Sequence, residues 1–174
     1  MPQYRRALNL AGALTCVALL GFAYYAQYVL HLEPCPLCML QRVTMLALGL
    51  CFLAAALQHP REWGRFGYAL LIGLCALATV GVAARHLYIQ SQPPGSIPAC
   101  GAPIEVLLQM FPVTDVIRKV LHGGGECALV NWSFLGLAMP AWVMLWAVVL
   151  GVAGVLNNVW AAPARGREPR FANR

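Results

Sequence analysis

The chain has 174 residues, of which 60% are hydrophobic and only 10% are charged. A soluble domain carries about 25% charged residues, so this composition excludes an ordinary water-soluble globular protein, whose surface needs more polar side chains. The formal net charge of +6 does not indicate nucleic-acid binding, because the sequence has neither a clustered basic groove nor an aromatic platform. The composition predicts a membrane protein whose natural partner is the lipid bilayer.

Four stretches are apolar and long enough to cross a bilayer as helices, which need about 20 mainly apolar residues each. In chain order they cover residues 7–30, 38–57, 66–84 and 134–156. The fourth contains Pro140, which membrane helices tolerate when neighbours satisfy the freed carbonyl. The sequence therefore predicts an all-α fold, an integral membrane four-helix bundle.

The first apolar stretch follows Arg5 and Arg6, as in a secretory signal peptide. It exceeds the usual apolar length of about 7 to 15 residues and lacks a convincing cleavage site, so we expect it to be retained. A single membrane domain would then cover residues 1–163, followed by a basic tail at residues 164–174.

The basic residues predict the orientation, because cytoplasmic segments collect Lys and Arg. One side of the bundle would carry eight of them: Arg5, Arg6, Arg61, Arg65, Arg165, Arg167, Arg170 and Arg174. The other side would carry Arg42, Arg85, Arg118 and Lys119. We therefore expect both termini to be cytoplasmic, with two outer loops at about residues 31–37 and 87–133.

The seven cysteines divide into two groups. Three lie in apolar stretches, where a thiol behaves as a small inert hydrophobe: Cys16, Cys51 and Cys75. Four lie in the outer loops: Cys35, Cys38, Cys100 and Cys127. Since thiols on that side of the membrane are oxidised, two disulfides are the simplest outcome.

Cys35 and Cys38 form a C-x-x-C motif at the start of a predicted helix. Unpaired amides and the helix dipole stabilise a thiolate there, which favours redox chemistry. Arg42 follows one turn later on the same face, so its charge can approach the thiolate or a molecule bound beside it. The alternative for Arg42 is an arginine that extends to the lipid headgroups.

Two alternatives to redox exchange remain for the loop cysteines. One is a permanent structural disulfide. The other is a four-cysteine zinc site, which the spacing of Cys100 and Cys127 does not favour because they form no second C-x-x-C. We expect no metal centre.

The long outer loop contains two amphipathic segments. Apolar residues follow helical spacing at Ile104, Leu107, Leu108 and Phe111, and again at Val113, Val116, Ile117, Val120 and Leu121. Such segments can lie flat in the membrane interface, and residues 123–125, all glycine, would let Cys127 move relative to them. Ordinary loop packing explains the same pattern.

These features resemble the bacterial inner-membrane disulfide bond formation protein B (DsbB) family over nearly the whole chain. The resemblance is carried by the four-span outline, the first-loop motif with its arginine, the second-loop cysteine pair, and two stretches at residues 125–127 and 132–140. It implies a thiol oxidase of the bacterial inner membrane, with both loops facing the periplasm. The enzyme would reoxidise a periplasmic DsbA-like dithiol oxidase and pass the electrons to membrane quinone, either ubiquinone or menaquinone.

The resemblance also implies a role for each site residue. Cys100 would form the mixed disulfide with the partner, Cys127 would exchange with Cys35, and Cys38 would deliver electrons to the quinone ring. Arg42 would stabilise the charged species. His86 is similar to the family's quinone-side histidine, although a histidine that caps a helix at the interface is an equal alternative.

Two other functional classes remain open. One is a non-enzymatic four-helix membrane protein with two structural disulfides. The other is a conduit that moves electrons outward, for which Cys16, Cys51 and Cys75 show no paired motif. Within the family, a paralogue with a dedicated substrate is a further alternative.

Overall fold

The computed structural model describes residues 2–58, 60, 63–93, 106, 109–122, 125–130 and 132–160. Its α-helices are α1 (Pro2–Tyr28), α2 (Pro36–Gln58), α3 (Trp63–Gln90), α4 (Val113–His122) and α5 (Met139–Val159). A 3-10 turn (Gly125–Ala128) and two short strands, β1 (Ser133–Phe134) and β2 (Leu137–Ala138), lie between α4 and α5. Helices α1, α2, α3 and α5 are long and apolar enough to cross a membrane. The prediction of an all-α four-helix membrane protein is confirmed.

The four long helices pack into one bundle with α1 next to α2, α2 next to α3, and α3 next to α5. At one end, Arg5 Nη2 donates to the Pro60 carbonyl at 2.7 Å, and Asn157 Nδ2 donates to the Arg5 carbonyl at 3.1 Å. These bonds hold the start of α1, the turn between α2 and α3, and the end of α5 together. We call this the terminal end and the opposite one the loop end.

The core of the bundle is apolar, and side chains from all four long helices fill it. Its buried members are Ala13, Cys16, Met45, Leu48, Phe52, Ile72, Ala76 and Leu150. Nearer the terminal end, Asn9 and Asn158 are buried and hydrogen-bond each other, Asn158 Nδ2 donating to Asn9 Oδ1 at 3.1 Å. The paired amides satisfy each other where water is excluded.

Helix α5 begins at Met139 and not at residue 134, because residues 133–138 form an antiparallel hairpin. Its turn residues Leu135 and Gly136 have φ of 53° and 78°, and positive φ at both central positions is typical of a tight two-residue turn. Pro140 consequently lies in the first turn of α5 and not inside a span. Backbone N–H groups in the first turn have no intrahelical acceptor, so a proline there removes no helical hydrogen bond.

Helix α3 continues to Gln90, six residues past the predicted end of the third apolar stretch. The extension is held by burial, since His86 and Ile89 are 2% and 1% exposed. Helix α4 packs at the same end, where its buried Val116 and Val120 join a cluster with Leu37 of α2 and Ile89 of α3. The second amphipathic segment is therefore helical, and its buried face contacts the loop end of the bundle.

Candidate functional site

Cys35 and Cys38 lie where the first outer loop enters α2. The Cys35 carbonyl accepts the N–H of Met39 at 3.1 Å, and Pro36 occupies the first helical position. The Cys35 sulfur accepts the backbone N–H of Cys38 at 3.4 Å and so caps the helix. The two sulfurs are 3.1 Å apart, in a hydrogen bond between two thiols. Cys38 is therefore in the first turn of α2, where the sequence predicts it.

Cys127 reaches this pair from the 3-10 turn. Its side chain is 1% exposed and hydrogen-bonds the Cys35 side chain. Leu37, Val82 and Ile89 surround the contact with apolar side chains. One cysteine from each outer loop thus meets at a single buried point, while Cys100 lies outside the described residues.

The surroundings of Cys35 act on its ionisation in opposite directions. The hydrogen bond with Cys127 favours the thiolate, whereas the hydrogen bond with Cys38, burial and the charge of a Cys38 thiolate favour the thiol. The latter effects prevail and raise the pKa of Cys35 to about 12. In the reduced pair Cys35 is therefore a protonated thiol at neutral pH.

His86 is buried between the C-x-x-C motif and Cys127. Its Nε2 lies 3.7 Å from the Cys35 sulfur and 3.2 Å from the Cys127 carbonyl oxygen, and its Nδ1 lies 3.3 Å from Gln41 Nε2. Because the Gln41 amide donates to Nδ1, the ring proton is on Nε2, which donates to the Cys127 carbonyl. The alternative of an interfacial helix cap is wrong, since the imidazole contacts α2 and both loops while α3 continues to Gln90.

Arg42 is held against α1 and does not extend away from the bundle. Its guanidinium donates to Gln27 Oε1 and, at 3.0 Å, to the Ala23 carbonyl, and it lies 4.9 Å from the centre of the Tyr24 ring. A guanidinium has five N–H donors, more than these contacts use. Arg42 also lines the cavity described next, and the extended alternative is not what the structure adopts.

An open cavity lies beside the two first-loop cysteines. Cys35, Cys38, Gln41, Arg42 and His86 line it on the loop side. Much of the remaining wall is apolar, including Leu19, Ala23, Met45, Trp132, Pro140 and Val143. A mainly apolar wall with a few convergent polar groups is typical of a small-molecule site.

Aromatic side chains close the wall between α1 and α5. Phe22 packs edge-on against Trp132 at 5.7 Å, Trp132 stacks on Phe134 at 6.1 Å, and Trp142 Nε1 donates to the Phe134 carbonyl at 3.2 Å. The hairpin is thereby tied to both helices. The cavity has walls from α1, α2, α3 and α5, and Trp132 contributes to it from just before the hairpin.

Sequence reasoning missed Gln41 and the aromatic wall. Gln41 is 5% exposed, and an uncharged polar side chain inside an apolar span was the available signal. Trp132 and Phe134 fell at the edge of a predicted span, where aromatic residues are common anyway. The stacking of Trp132 on Phe134 follows from the hairpin, which the apolar pattern did not predict.

Comparison with known proteins covers both the bundle and the site. A family model described as "Disulfide bond formation protein DsbB" matches residues 5–157. Disulfide bond formation protein B of Nitrosococcus oceani is 46% identical over 141 residues, 81% of this chain and 83% of that protein. The protein of the same name from Hahella chejuensis is 43% identical over 172 residues, 98% of this chain and 100% of that protein. That of Methylococcus capsulatus is 44% identical over 152 residues.

Proposed function

Because this chain belongs to the DsbB family of disulfide bond formation proteins, we propose that it is a quinone-dependent thiol oxidase. It would take electrons from the reduced dithiol of a periplasmic, thioredoxin-fold partner of the DsbA kind. It would pass them to a quinone dissolved in the membrane. The partner's dithiol becomes a disulfide, and the quinone becomes a hydroquinone.

The order of the sulfurs is the observation that carries this proposal. The Cys127 side chain hydrogen-bonds Cys35, the Cys35 and Cys38 sulfurs are 3.1 Å apart, and Cys38 lines the apolar cavity. Thiol–disulfide exchange requires attack of one sulfur on the next. The three cysteines therefore form a continuous path from the second loop to the cavity.

The raised pKa of Cys35 gives the exchange a direction. When Cys127 attacks the Cys35–Cys38 disulfide at Cys35, Cys38 leaves from the first turn of α2, where backbone amides stabilise its thiolate. Attack at Cys38 would expel Cys35, and burial raises the pKa of that thiol. A thiol of higher pKa leaves more slowly, so electrons move toward Cys38 and the cavity.

The cavity residues fit a quinone. Its apolar wall suits a lipid-soluble ring, and the Arg42 guanidinium can donate to a ring oxygen while staying bound to α1. A membrane quinone, when bound there, would supply the two-electron acceptor that thiols alone lack. The protein's part is to hold Cys38 at the wall, keep a positive charge beside it, and limit access of water.

The location of the reaction follows from the same proposal. The four apolar helices make this a multi-pass membrane protein. We place it in the bacterial inner membrane with the loop end facing the periplasm, where the partner's dithiol is available and thiols are kept oxidised. Cys100, in the second loop, would be the cysteine that the partner attacks.

The decisive experiment uses purified protein, a reduced DsbA-like partner and a soluble quinone analogue. Absorbance should report quinone reduction that depends on both the protein and the partner. Cys38→Ser should stop quinone reduction. Cys127→Ser, mixed with the oxidised partner instead, should accumulate a mixed disulfide between Cys100 and the partner, because the Cys100 thiolate opens the partner's disulfide and no Cys127 thiol is present to release it. Cys16→Ala is the matched control and should react as the parent does.

A structural protein with permanent disulfides would behave differently. It would reduce no quinone, and the Cys127→Ser variant would give no partner adduct. Either result would reject the thiol oxidase.

A further inference from the structure

Three metal-binding groups converge where the two loops meet, and a further cysteine contacts one of them. The sulfurs of Cys35 and Cys38 and the imidazole of His86 all offer ligand atoms within 4.8 Å of one another. The two sulfurs are 3.1 Å apart, and Cys35 Sγ is 3.7 Å from His86 Nε2. Cys127 adds a third sulfur in contact with Cys35.

These separations match those of a tetrahedral zinc site. Zinc bonds of about 2.3 Å to sulfur and about 2.0 to 2.1 Å to nitrogen place neighbouring ligand atoms roughly 3.5 to 3.8 Å apart. Three thiolates and one imidazole are an established ligand set for zinc in proteins. Cys35, Cys38 and His86 could close around an ion with small movements. Cys127, which contacts Cys35, would have to move toward Cys38 and His86 to become the fourth ligand.

We propose that the reduced form of this protein binds one zinc ion through Cys35, Cys38, Cys127 and His86, and that the bound ion inhibits it. Binding transfers no electrons: the three thiols lose their protons to water, and three zinc–sulfur bonds and one zinc–nitrogen bond form. A zinc-bound thiolate cannot re-form the Cys35–Cys38 disulfide. The inhibition rests on the function proposed above, whereas the binding stands on the geometry alone.

The site favours a thiophilic cation over Mg²⁺ or Ca²⁺. Its three sulfurs and one nitrogen offer none of the oxygen ligands that those ions require. His86 and Cys127 are 2% and 1% exposed, so the ion would be shielded from competing water. This set differs from the four loop cysteines considered from the sequence, since an imidazole of α3 takes part.

Gln41 is a positioning residue for this site. It now donates to His86 Nδ1, which leaves the ring proton on Nε2. Zinc needs the Nε2 lone pair, so the proton must move to Nδ1, and the Gln41 amide must turn to present its oxygen. Metal-bound histidines commonly donate their second N–H to such an acceptor.

The first experiment measures binding without partner or quinone. Protein in detergent is reduced with a phosphine, freed of metal by chelation, and titrated with zinc chloride against a chelating dye. We expect one tight zinc per chain. In a parallel titration, Co²⁺ should give the near-ultraviolet charge-transfer absorption of thiolate ligands, weakened in Cys127→Ser and shifted in His86→Ala.

Alkylation of the unmodified chain gives a readout that does not depend on any variant folding. Zinc should protect Cys35, Cys38 and Cys127 from a maleimide, as read by peptide mass spectrometry. Cys51 and Cys75 are the matched control, because their sulfurs are 3.7 Å apart without a nearby third ligand among the described residues. Equal protection of both sets, or of neither, would overturn the proposal.

Gln41 variants separate a positioning role from a general loss of stability. Gln41→Leu removes the acceptor for Nδ1–H and should lower zinc affinity about tenfold to a hundredfold, the range for such partners. Gln41→Glu restores an acceptor and should restore affinity. Unchanged affinity in Gln41→Leu would remove His86 Nε2 from the ligand set.

Inhibition is tested on the active protein. Stoichiometric zinc should abolish quinone reduction, and a chelator should restore it. Zinc that binds without slowing turnover would overturn the inhibitory role. A metal-free protein that never reduces quinone but still binds zinc would reject the proposed function and leave the binding site standing.

Discussion

The chemistry of the site depends on an asymmetry between two cysteines that are three positions apart. Cys35 lies before α2 and touches two other sulfurs, whereas Cys38 lies in the first turn and lines the cavity. The hydrogen bond with Cys38, burial and the Cys38 charge together raise the pKa of Cys35. A permanent structural disulfide would not require its two cysteines to have such different environments.

The asymmetry predicts a pH dependence for Cys35. With a pKa of about 12, its thiolate fraction is about one in ten thousand at pH 8, and its alkylation rate in the reduced protein should rise about tenfold per pH unit up to pH 10. Residue-resolved mass spectrometry of iodoacetamide-treated protein measures that rate. The urea-unfolded chain is the control, in which the rate should level off above about pH 9. A plateau below pH 9 in the folded protein would contradict the raised pKa.

Arg42→Ala tests the positive charge beside the cavity. Hydrogen bonds to a charged group contribute about 1.5 to 3 kcal/mol, so losing one to the acceptor should lower turnover at limiting quinone by tenfold or more. Expression and exchange with the partner should persist, because the sulfur contacts remain. Steady-state kinetics at varied quinone measures the effect. Unchanged kinetics would mean that Arg42 serves only to join α2 to α1.

The sequence predicts the positions of neighbouring residues along a helix better than it predicts contacts between residues far apart in the chain. C-x-x-C spacing and helical periodicity predict Cys38 in the first turn of α2 and Arg42 one turn later, as the structure has them, because these are local relations. The contact of Cys127 with Cys35 and that of Gln41 with His86 join residues far apart in the chain. Such contacts depend on how α2, α3 and the second loop pack, which apolar patterning leaves open.

At the level of elements, hydropathy predicts the existence of the spans and misplaces some ends. Apolar runs identify all four long helices, since each needs a lipid-compatible surface. The end of α3 and the start of α5 differ because backbone geometry and burial decide them. Leu135 and Gly136 turn the chain before α5 begins. Their positive φ values cannot be predicted from hydropathy.

The hairpin turn predicts that substitutions at two neighbouring positions change the stability of the protein in opposite directions. Leu135 has a φ of 53° and Gly136 one of 78°, a region that costs a residue with a side chain about 1 kcal/mol or more. Leu135→Gly should therefore stabilise the hairpin slightly, and Gly136→Ala should destabilise it by about 1 kcal/mol. A Cβ at Gly136 would meet nothing within 4 Å, so the effect is conformational. Thermal unfolding in detergent measures both, and equal signs would refute the turn.

Across the whole bundle, α5 approaches its neighbours through glycine. A Cβ on Gly154 would lie 2.6 Å from Phe52 Cζ, and one on Gly151 would lie 2.6 Å from Ala76 Cβ. Small residues at helix contacts let backbones come close, which is how membrane helices gain packing energy. The register of α5 against α2 and α3 thus depends on these two positions.

Gly154→Ala should lower stability by about 1 to 3 kcal/mol, the usual cost of overpacking. Gly81→Ala is the matched control in α3, because a Cβ there would meet nothing within 4 Å and alanine favours a helix. Denaturant unfolding in detergent should separate the two variants. If both behave as the parent does, α5 is not packed as described.

The remaining prediction concerns the orientation of the whole molecule in the membrane, and it rests on the distribution of Lys and Arg between the two sides. Arg5 is bonded to Pro60 at the terminal end, and most of the other basic residues expected on that side lie outside the described residues. Since Lys and Arg are retained in the cytoplasm, tags fused at either terminus should report cytoplasm, and a tag inserted near Gly95 should report the periplasm. Paired alkaline phosphatase and green fluorescent protein fusions measure this. A cytoplasmic Gly95 would place the sulfur path on the reducing side of the membrane, where the proposed oxidase could not meet its partner.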